Sequence, residues 1–439
     1  MEEEPGQFNY QSMQFENSLG HAKSLDEDDI LKNFRAGFIL PQHQKEDAIY
    51  FLGNSLGLQP KRTEQYIQEV LHQWGAFGVE GFFKGDQPWM NLHQQLTSTL
   101  SEIVGARPHE VVVMNQLTVN LHLMLVSFYQ PQGKRNKILC EAKAFPSDQY
   151  MLQTHVRQRG FDVDKTIIEV GPRIGETLIR EEDILTAIEQ HKDELALIFW
   201  GGLNYYTGQL FNMQAITAAA HDCGAKVGFD LAHAAGNIAL NLHDWNVDFA
   251  CWCSYKYLNS GPGAVAGVYI HERYHNDSSL NRFAGWWGSK KETQFLMQKD
   301  FVPEPSAEGW QLSTPSPVLY AAHKASLTIF EEAGVQNIFN KNVLLNNYLH
   351  FLLQEVIKQT PSEHMRVLTP GKAGEKGCQV SMLVKNGKQI FDELSANGVF
   401  ADWREPDVIR VAPVGLYNTF EEVWKFSQIL KRAINKFSK

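Results

Sequence analysis

The sequence predicts an α/β protein: a mostly parallel seven-stranded sheet with helices on both faces, followed by a smaller C-terminal α+β domain. The length of 439 residues is more than one small domain needs. Between about residues 58 and 270, short apolar and β-branched runs alternate with longer amphipathic stretches, which is typical of parallel strands covered by helices. After residue 315, long helical stretches surround two β runs, which indicates a second domain.

Seven short apolar runs in the first region are predicted to be strands. In chain order they are Val111–Asn115, Lys137–Glu141, Thr166–Val170, Leu195–Trp200, Lys226–Asp230, Phe249–Ser254 and Gly267–His271. The helices predicted between them span 118–129, 148–159, 181–191 and 213–223. The span 276–317, rich in Trp, Gly and Pro, shows little periodicity, so we expect long loops near a site or a subunit interface.

The region after residue 315 is predicted to form the smaller domain. Its elements are a long helix from Pro317 to Gly334, a second helix to about Lys358, a β run near Cys378–Val384, a strand near Val408–Ala412 and a closing amphipathic helix. The predicted division is an N-terminal segment packing on the small domain (1–50), a large α/β domain (51–315) and the small domain (316–439).

Composition excludes several classes of protein. Hydrophobic residues make up 43% and charged residues 21%, which is ordinary for a folded protein in water. A net charge of -10 argues against a general nucleic-acid binder. The acidic, polar start lacks the features of a signal peptide, and apolar runs stay well below the roughly 20 residues of a spanning helix. We therefore expect a cytoplasmic protein without a nucleic-acid or membrane partner.

The cysteines predict no metal or redox site. Their number is odd, most lie in apolar runs, and their spacing does not suit metal ligands. They are Cys140, Cys223, Cys251, Cys253 and Cys378. We interpret them as reduced thiols, most of them in the core.

Two residues after successive predicted strands indicate a cofactor. Asp230 ends one strand, and Lys256 follows the next strand 26 positions later. The carboxyl ends of parallel strands meet at one crevice. Pyridoxal phosphate requires a lysine amine for covalent attachment and a carboxylate that keeps its ring nitrogen protonated. Alone, Asp230 also suits a helix N-cap and Lys256 a surface lysine, but together they predict a pyridoxal phosphate site.

Two further helix starts suit this cofactor. The motif Asn115-Gln-Leu117-Thr118 opens a predicted helix directly after a strand, and backbone N–H groups at such a start bind phosphate. Thr118 is therefore a candidate phosphate ligand, with a plain N-cap as the alternative. Phe145-Pro-Ser-Asp148 follows another strand end. There the ring of Phe145 is expected to stack on the cofactor and Asp148 to cap the next helix.

Several longer motifs resemble the kynureninase family from about residue 50 onward. They are Phe51-Leu-Gly-Asn54-Ser55-Leu-Gly, Leu117-Thr118-Val-Asn-Leu-His, Ala144-Phe145-Pro-Ser-Asp148, Gly228-Phe-Asp230-Leu-Ala-His233, Val247-Asp-Phe-Ala-Cys-Trp-Cys-Ser-Tyr255-Lys256-Tyr-Leu-Asn and Ile409-Arg410-Val-Ala-Pro-Val. The resemblance implies the fold-type I architecture of pyridoxal phosphate enzymes. It also implies hydrolysis of L-kynurenine, or its 3-hydroxy form, to anthranilate or 3-hydroxyanthranilate and L-alanine, in tryptophan breakdown or NAD synthesis.

The resemblance implies a role for each cofactor residue. Lys256 would hold the cofactor and move the Cα proton, and Asp230 would pair with the ring nitrogen. His233 and Tyr255 would lie at the phosphate end. The other cofactor contacts would come from Leu117, Thr118, Phe145 and Asp148. Tyr255 is also the hypothetical proton donor to the carbanion left by bond cleavage.

The resemblance also implies a substrate site and a homodimer. Arg410 would hold the substrate carboxylate by a two-pronged hydrogen bond, flanked by Asn54 and Ser55. By itself, Arg410 would be interpreted as a strand-edge arginine in an ion pair, and only the surrounding motif favours the substrate role. Trp286 and Thr314 would reach the cofactor from the partner subunit, so that the active site lies at the subunit interface.

Three positions depart from the family pattern. Gly201 stands where relatives often have a serine near the phosphate, Phe82 where some have a histidine beside the substrate ring, and Thr314 where asparagine is frequent. The last two changes leave less polar surface near that ring. Because a buried hydroxyl without a partner costs about 1–3 kcal/mol, we expect kynurenine to be a better substrate than 3-hydroxykynurenine.

Other functions are less consistent with the sequence. Another fold-type I enzyme, such as a cysteine desulfurase or an aminotransferase, shares the lysine, but a desulfurase needs a reactive cysteine in a mobile loop. An NAD-dependent oxidoreductase should show a Gly-x-Gly-x-x-Gly turn after an early strand, and none is evident. A scaffold protein without cofactor would lack a visible absorbance band sensitive to borohydride.

Overall fold

A seven-stranded sheet forms the centre of the larger part of the computed structural model, which describes residues 14–361, 363–372 and 374–437. Its strands are β1 (Val111–Met114), β2 (Lys137–Glu141), β3 (Ile167–Val170), β4 (Leu195–Gly201), β5 (Lys226–Asp230), β6 (Phe249–Trp252) and β7 (Ala266–Ile270). Their spatial order is β1-β7-β6-β5-β4-β2-β3. β7 is antiparallel to both neighbours, and the other neighbouring pairs are parallel. The predicted mostly parallel sheet is confirmed.

Helices cover both faces of this sheet, as the apolar strands require. The helices in this part of the chain are α2 (Thr63–Phe77), α3 (Gln94–Val104), α4 (Leu117–Phe128), α5 (Pro146–Gln158), α6 (Val163–Thr166), α7 (Glu181–His191) and α8 (Met213–Asp222). Strand β1 shows why two layers are needed: Val111 and Val113 join one buried cluster, whereas Val112 and Met114 join the other. Alternate side chains of one strand therefore belong to opposite faces.

The smaller domain is built on a four-stranded antiparallel sheet in the order β8-β9-β11-β10. The strands are β8 (Met365–Val367), β9 (Val380–Val384), β10 (Asp402–Arg404) and β11 (Val408–Val411). The remaining helices are α1 (Leu19–Glu27), α9 (Pro317–Ala333), α10 (Val335–Lys358), α11 (Gly387–Ala396) and α12 (Phe420–Phe437). Among them, α9 packs mainly against α2 and α3 of the larger part of the chain. Of these strands, β9 and β11 were predicted, and the three-residue β8 and β10 were not.

The N-terminal segment lies against the small domain. Ala22 and Leu25 of α1 are buried in the cluster formed by α10 and α12. The carboxylate of Asp26 accepts hydrogen bonds from the backbone N–H groups of Phe420 (2.7 Å) and Glu421 (2.9 Å), where an anion favours the start of α12. The division of the chain at residues 50 and 315 stays a prediction, and residues 1–13 lie outside the described part.

Short ribbons and turns complete the fold. The two-residue strands are Phe38–Ile39 with Gln59–Pro60, Gln42–His43 with Glu46–Asp47, and Ile49–Tyr50 with Val399–Phe400. The predicted loop region contains only three-residue and four-residue 3₁₀ turns, at Trp286–Gly288, Gln294–Leu296 and Ala307–Trp310. The five cysteines are free thiols, and Cys223 alone among them is not fully buried. None of the helices in the described residues is long and apolar enough to cross a membrane.

Candidate active site

A cavity of about 460 Å³ opens at the carboxyl ends of the parallel strands, where it is closed by the small domain. Most of the predicted site residues line it. They are Asn54, Ser55, Leu117, Thr118, Phe145, Asp148, Asp230, His233, Tyr255, Lys256 and Arg410. Sequence-distant segments thus converge on one volume large enough for a cofactor and a small substrate.

Lys256 lies in the loop after β6, beside a neutral histidine. Its Nζ is 3.0 Å from Nε2 of His233. Burial, followed by the positive charge of Lys256, lowers the pKa of His233 well below its usual value. The imidazole is therefore neutral, so its Nε2 accepts a hydrogen bond from the lysine. This contact aims the amine into the cavity.

Asp230 ends β5 at the floor of the cavity and is 8% exposed. Its Oδ1 accepts a hydrogen bond from the N–H of Ala232 at 2.8 Å. Burial raises the pKa of Asp230, whereas the Ala232 N–H, Lys256 and Asp148 oppose that rise. Burial, next to the charge of Asp230, raises the pKa of Asp148 further, so Asp148 is the protonated donor and Asp230 the acceptor.

The start of α4 presents free backbone donors to the cavity. Asn115 adopts a left-handed conformation (φ 46°) that turns the chain from β1 into the helix. Its side chain donates to Asn120, which in turn donates to the carbonyl of Met114, and these bonds hold the turn. Among the described residues, no side chain caps this helix start. The N–H groups near Leu117 and Thr118 are therefore available to a phosphate.

Arg410 is a basic group on the small-domain side and is 1% exposed. It donates hydrogen bonds to Asp402 and to the carbonyl of Tyr205, while its Nε has no partner within the described residues. Nearby, Asn54 donates to Gln379 at 3.0 Å, and its buried Oδ1 is also unpartnered there. Such unsatisfied buried groups indicate that a polar ligand completes the site.

Several residues that line the cavity were missed by sequence reasoning. They are Gln116, Glu141, Ser147, Leu203, Tyr205, Ala232 and Arg404. Glu141 had a visible signal, since it ends a predicted strand at the same sheet edge as Asp230. Tyr205 and Arg404 had none, because one lies in an irregular loop and the other on a three-residue strand.

Gly201 lies between two acidic residues of the cavity, Asp230 and Glu141. It pairs with Asp230 in the register of β4 and β5. A Cβ at this position would lie 3.4 Å from Oε2 of Glu141. A serine here would consequently face that carboxyl group.

Three predicted residues lie outside the cavity lining. Phe82 packs edge-on against Trp89, with ring centroids 5.2 Å apart. Trp286 is 43% exposed, and Thr314 is also exposed. A single chain therefore does not bring Trp286 and Thr314 to the cavity, and their predicted contact with the cofactor depends on a partner subunit.

One group of possible metal ligands lies elsewhere, at the opposite edge of the sheet. Glu110, His243 and His271 have ligand atoms within 4.8 Å of one another. Glu110 already accepts from the N–H groups of Arg107 (2.9 Å) and Glu272 (2.9 Å) and contacts Nδ1 of His243 (3.0 Å). Nδ1 of His271 accepts from the N–H of Arg273. Because these atoms already have protein partners, we interpret the group as a set of hydrogen bonds that holds neighbouring loops together.

Curated proteins that are similar over nearly the full length of the chain share one name. The chain is 52% identical over 423 residues to a kynureninase from Flavobacterium psychrophilum, covering 96% of this chain and 99% of that protein. Identity is 48% over 419 residues to a kynureninase from Myxococcus xanthus, covering 95% and 97%. A family model for the kynureninase C-terminal domain matches residues 338–430.

Solved structures show the same fold at low identity. A cysteine desulfurase from Thermococcus onnurineus has a TM-score of 0.71 and 16% identity, covering 94% of this chain and 98% of that one. A C-DES variant with glycine covalently linked to its PLP cofactor has a TM-score of 0.70 and 18% identity, covering 87% and 96%. These structures confirm the predicted fold-type I architecture.

Proposed function

The chain belongs to the kynureninase family, and we infer that it cleaves the Cβ–Cγ bond of L-kynurenine with water, releasing anthranilate and L-alanine. One observation in the molecule carries this function. A lysine for the cofactor, Lys256, and a buried arginine for the substrate carboxylate, Arg410, line the same cavity from opposite domains. An α-amino acid whose amine displaces Lys256 from the cofactor would thus share the cavity with Arg410, which can bind its carboxylate.

The cavity has the groups that pyridoxal phosphate needs. Lys256 provides the amine, Asp230 provides the carboxylate for the ring nitrogen, and the free N–H groups near Thr118 receive the phosphate. Phe145 is 44% exposed toward this space, and its ring stands edge-on to Tyr205 at 5.4 Å. A planar ring bound over Asp230 would be covered by Phe145. When bound, this cofactor withdraws electrons from the substrate Cα.

Some residues of the cavity would bind the substrate, and others would transfer protons. Arg410 binds the substrate carboxylate, and Asn54 and Ser55 flank it. Lys256, freed from the cofactor by the substrate amine, would take the Cα proton onto its Nζ and hold it there for transfer. His233 keeps the amine oriented because its neutral imidazole accepts from Nζ at 3.0 Å.

Tyr255 is the proposed proton donor to the Cβ carbanion that forms when anthranilate leaves. Burial raises the pKa of its phenol, so the hydroxyl keeps its proton until a strong base forms nearby. Tyr255 lines the cavity next to Lys256. Its position therefore suits a group that delivers a proton to a carbon bonded near the lysine.

The function is tested with the purified full-length protein loaded with pyridoxal phosphate. We expect a visible absorbance band that borohydride removes, and anthranilate fluorescence that grows with L-kynurenine. Lys256→Ala should abolish the fluorescence. Sulfide release from cysteine, measured in parallel, tests the desulfurase alternative. A protein with the absorbance band that produces sulfide and no anthranilate would contradict the proposed function.

We further propose that the enzyme is a homodimer whose partner subunit completes the aryl side of the site. Exposed apolar side chains support this, since they cluster around Trp286 and Phe83. They include Phe83, Trp286, Phe295, Leu296 and Met297. Phe295 contacts both Phe83 (5.8 Å between centroids) and Trp286 (5.5 Å). Sedimentation should show a dimer, and a monomer with full activity would contradict it. The cytoplasmic location and the metabolic pathway stay predictions.

A further inference from the structure

Glu141 is a buried acid of the cavity for which the reaction above has no role. It ends β2, is 4% exposed and lines the cavity close to Asp148 and Asp230. One carboxyl oxygen accepts a hydrogen bond from the side-chain amide of Asn204. The other faces Gly201, which has no side chain to donate to it.

Asn204 is fixed so that it can only donate to Glu141. Its Oδ1 accepts from the N–H of Tyr206 (2.9 Å), the N–H of Thr207 (2.6 Å) and the hydroxyl of Thr207 (3.0 Å). With the oxygen occupied in this way, the amide nitrogen is directed at Glu141. This turn therefore holds the carboxyl of Glu141 beside Gly201, the residue that pairs with Asp230 across β4 and β5.

The charges around Glu141 do not balance if every acid is ionised. Asp148 on α5, Asp230 on β5 and Glu141 on β2 are three buried carboxyl groups, and Lys256 is the cation that lowers the pKa of both aspartates. Arg404 and Arg410 also line the cavity, but both pair with Asp402. His233 is neutral. Buried like charges cannot all ionise. Asp230 has the most donors, so it keeps the negative charge, and the other two acids hold protons.

The electrostatics of Glu141 agree with this distribution. Burial, opposed by the Asn204 hydrogen bond and increased by the charge of Asp230, raises the pKa of Glu141 to about 7. Its proton is therefore exchangeable near neutral pH, unlike that of Asp148, which donates to Asp230.

We propose that Glu141 is a positioning residue that holds a proton while the site is empty of cofactor and releases it when the cationic ring nitrogen binds against Asp230. This inference rests on the proposed placement of the cofactor ring. Its role is to keep Asp230 as the single anion among the three acids while the cofactor is absent, and then to add a second negative charge near Asp230 when the cofactor is bound.

The expected consequence is a specific pH dependence of cofactor binding. A nearby cation favours the ionised form of Glu141, so the binding of pyridoxal phosphate should strengthen as pH rises through about 7. The free cofactor also titrates, but it does so equally in every experiment. The ratio of the Kd of Glu141→Gln to that of the unaltered protein isolates the contribution of Glu141.

The experiment measures this ratio between pH 6 and pH 8 on the full-length protein stripped of cofactor, using the visible absorbance on rebinding. We expect the ratio to rise about tenfold, since an opposite charge nearby shifts a carboxyl pKa by about one unit or more. Glu169→Gln is the matched control, because Glu169 is an exposed glutamate at the edge strand β3 and should give a constant ratio. A constant ratio for Glu141→Gln would overturn the proposal.

A second variant decides the question if Glu141→Gln does not fold, which circular dichroism reveals. Gly201→Ser adds a hydroxyl donor beside Oε2 of Glu141, where it stabilises the ionised form. The rise in cofactor affinity should move to lower pH by about one unit. If cofactor affinity rose at the same pH in Gly201→Ser as in the unaltered protein, the inference would be contradicted. Both readouts are cofactor binding, so a protein that shows them but makes no anthranilate refutes the proposed reaction and leaves this inference intact.

Discussion

Asp402 and Arg410 lie directly opposite each other on the antiparallel strands β10 and β11, and the guanidinium of Arg410 donates a hydrogen bond to the carboxylate of Asp402. A second bond to the carbonyl of Tyr205 fixes the plane of the guanidinium. Burial lowers the pKa of Arg410, but an arginine stays charged at any ordinary pH. The substrate carboxylate therefore meets a cation that is already oriented.

Arg410→Lys should impair the reaction by weakening substrate binding. Lysine keeps the positive charge but cannot make the two-pronged hydrogen bond, and a bond to a charged group contributes about 1.5–3 kcal/mol. We expect kcat/KM for kynurenine to fall about 10- to 150-fold while the cofactor spectrum is unchanged. Arg366→Lys, an exposed position on β8, is the control. Equal kcat/KM in the two variants would refute substrate binding by Arg410.

Tyr255→Phe should slow turnover without loss of cofactor. Removal of a general acid typically costs about 10²- to 10⁴-fold, and we expect kcat to fall within this range. Tyr257→Phe is the matched control, because Tyr257 is buried two positions away and its hydroxyl has no partner in the described part of the chain. If Tyr255→Phe retained full kcat, another group would be the donor.

Kynurenine should be a better substrate than 3-hydroxykynurenine. Phe82 does not line the cavity of its own chain, so it would approach the substrate ring only across the proposed dimer interface. Because it is embedded among the rings of Trp89 and Trp287, it would offer no polar atom to a hydroxyl on that ring. An unpaired hydroxyl costs about 1–3 kcal/mol, which corresponds to a kcat/KM ratio of about 5 to 150. Phe82→His should narrow that ratio. A preference of the unaltered enzyme for the hydroxylated substrate would show that a polar partner exists near the ring.

Stability should fall in acid partly because of His155. Its Nδ1 accepts from Arg159 at 2.8 Å, and its Nε2 lies 3.0 Å from His122. Burial, then the charge of Arg159, lowers the pKa of His155 to about 4, from 6.5 in an unfolded chain. Because the unfolded state binds the proton more readily, the stabilisation is complete above pH 6.5 and is lost as pH falls toward 4.

Urea unfolding at several pH values checks this prediction. The free energy of unfolding should decrease less steeply between pH 6.5 and pH 4 in His155→Gln than in the unaltered protein. The exposed His72→Gln should follow the unaltered protein. Parallel curves for all three proteins would mean that protonation of His155 does not contribute.

Much of the site was predictable because it depends on strand order. Asp230 and Lys256 follow neighbouring parallel strands, so their convergence follows from the direction of those strands. Arg410 could be placed only through its motif, because its approach to the cavity depends on how the small domain packs on the loop of Tyr205. Arg404 and Tyr205 gave no periodic signal, and the depth of Glu141 in the cavity depends on packing between elements distant in sequence.

The stretch from Phe51 to Gly57 joins the two ends of the cavity. The carbonyl of Phe51 accepts from the N–H of Ala412, two residues beyond Arg410, at 2.8 Å. The N–H of Gly57 donates to the carbonyl of Tyr255, next to Lys256, also at 2.8 Å. A Cβ on Gly57 would lie 2.4 Å from the carbonyl oxygen of Lys256, so no larger residue fits without displacing that loop. The segment from Phe51 to Gly57 therefore fixes the position of Arg410 relative to Lys256. Enzyme engineering for new substrates should leave this segment unchanged and alter residues on the aryl side of the site, where the segment does not run.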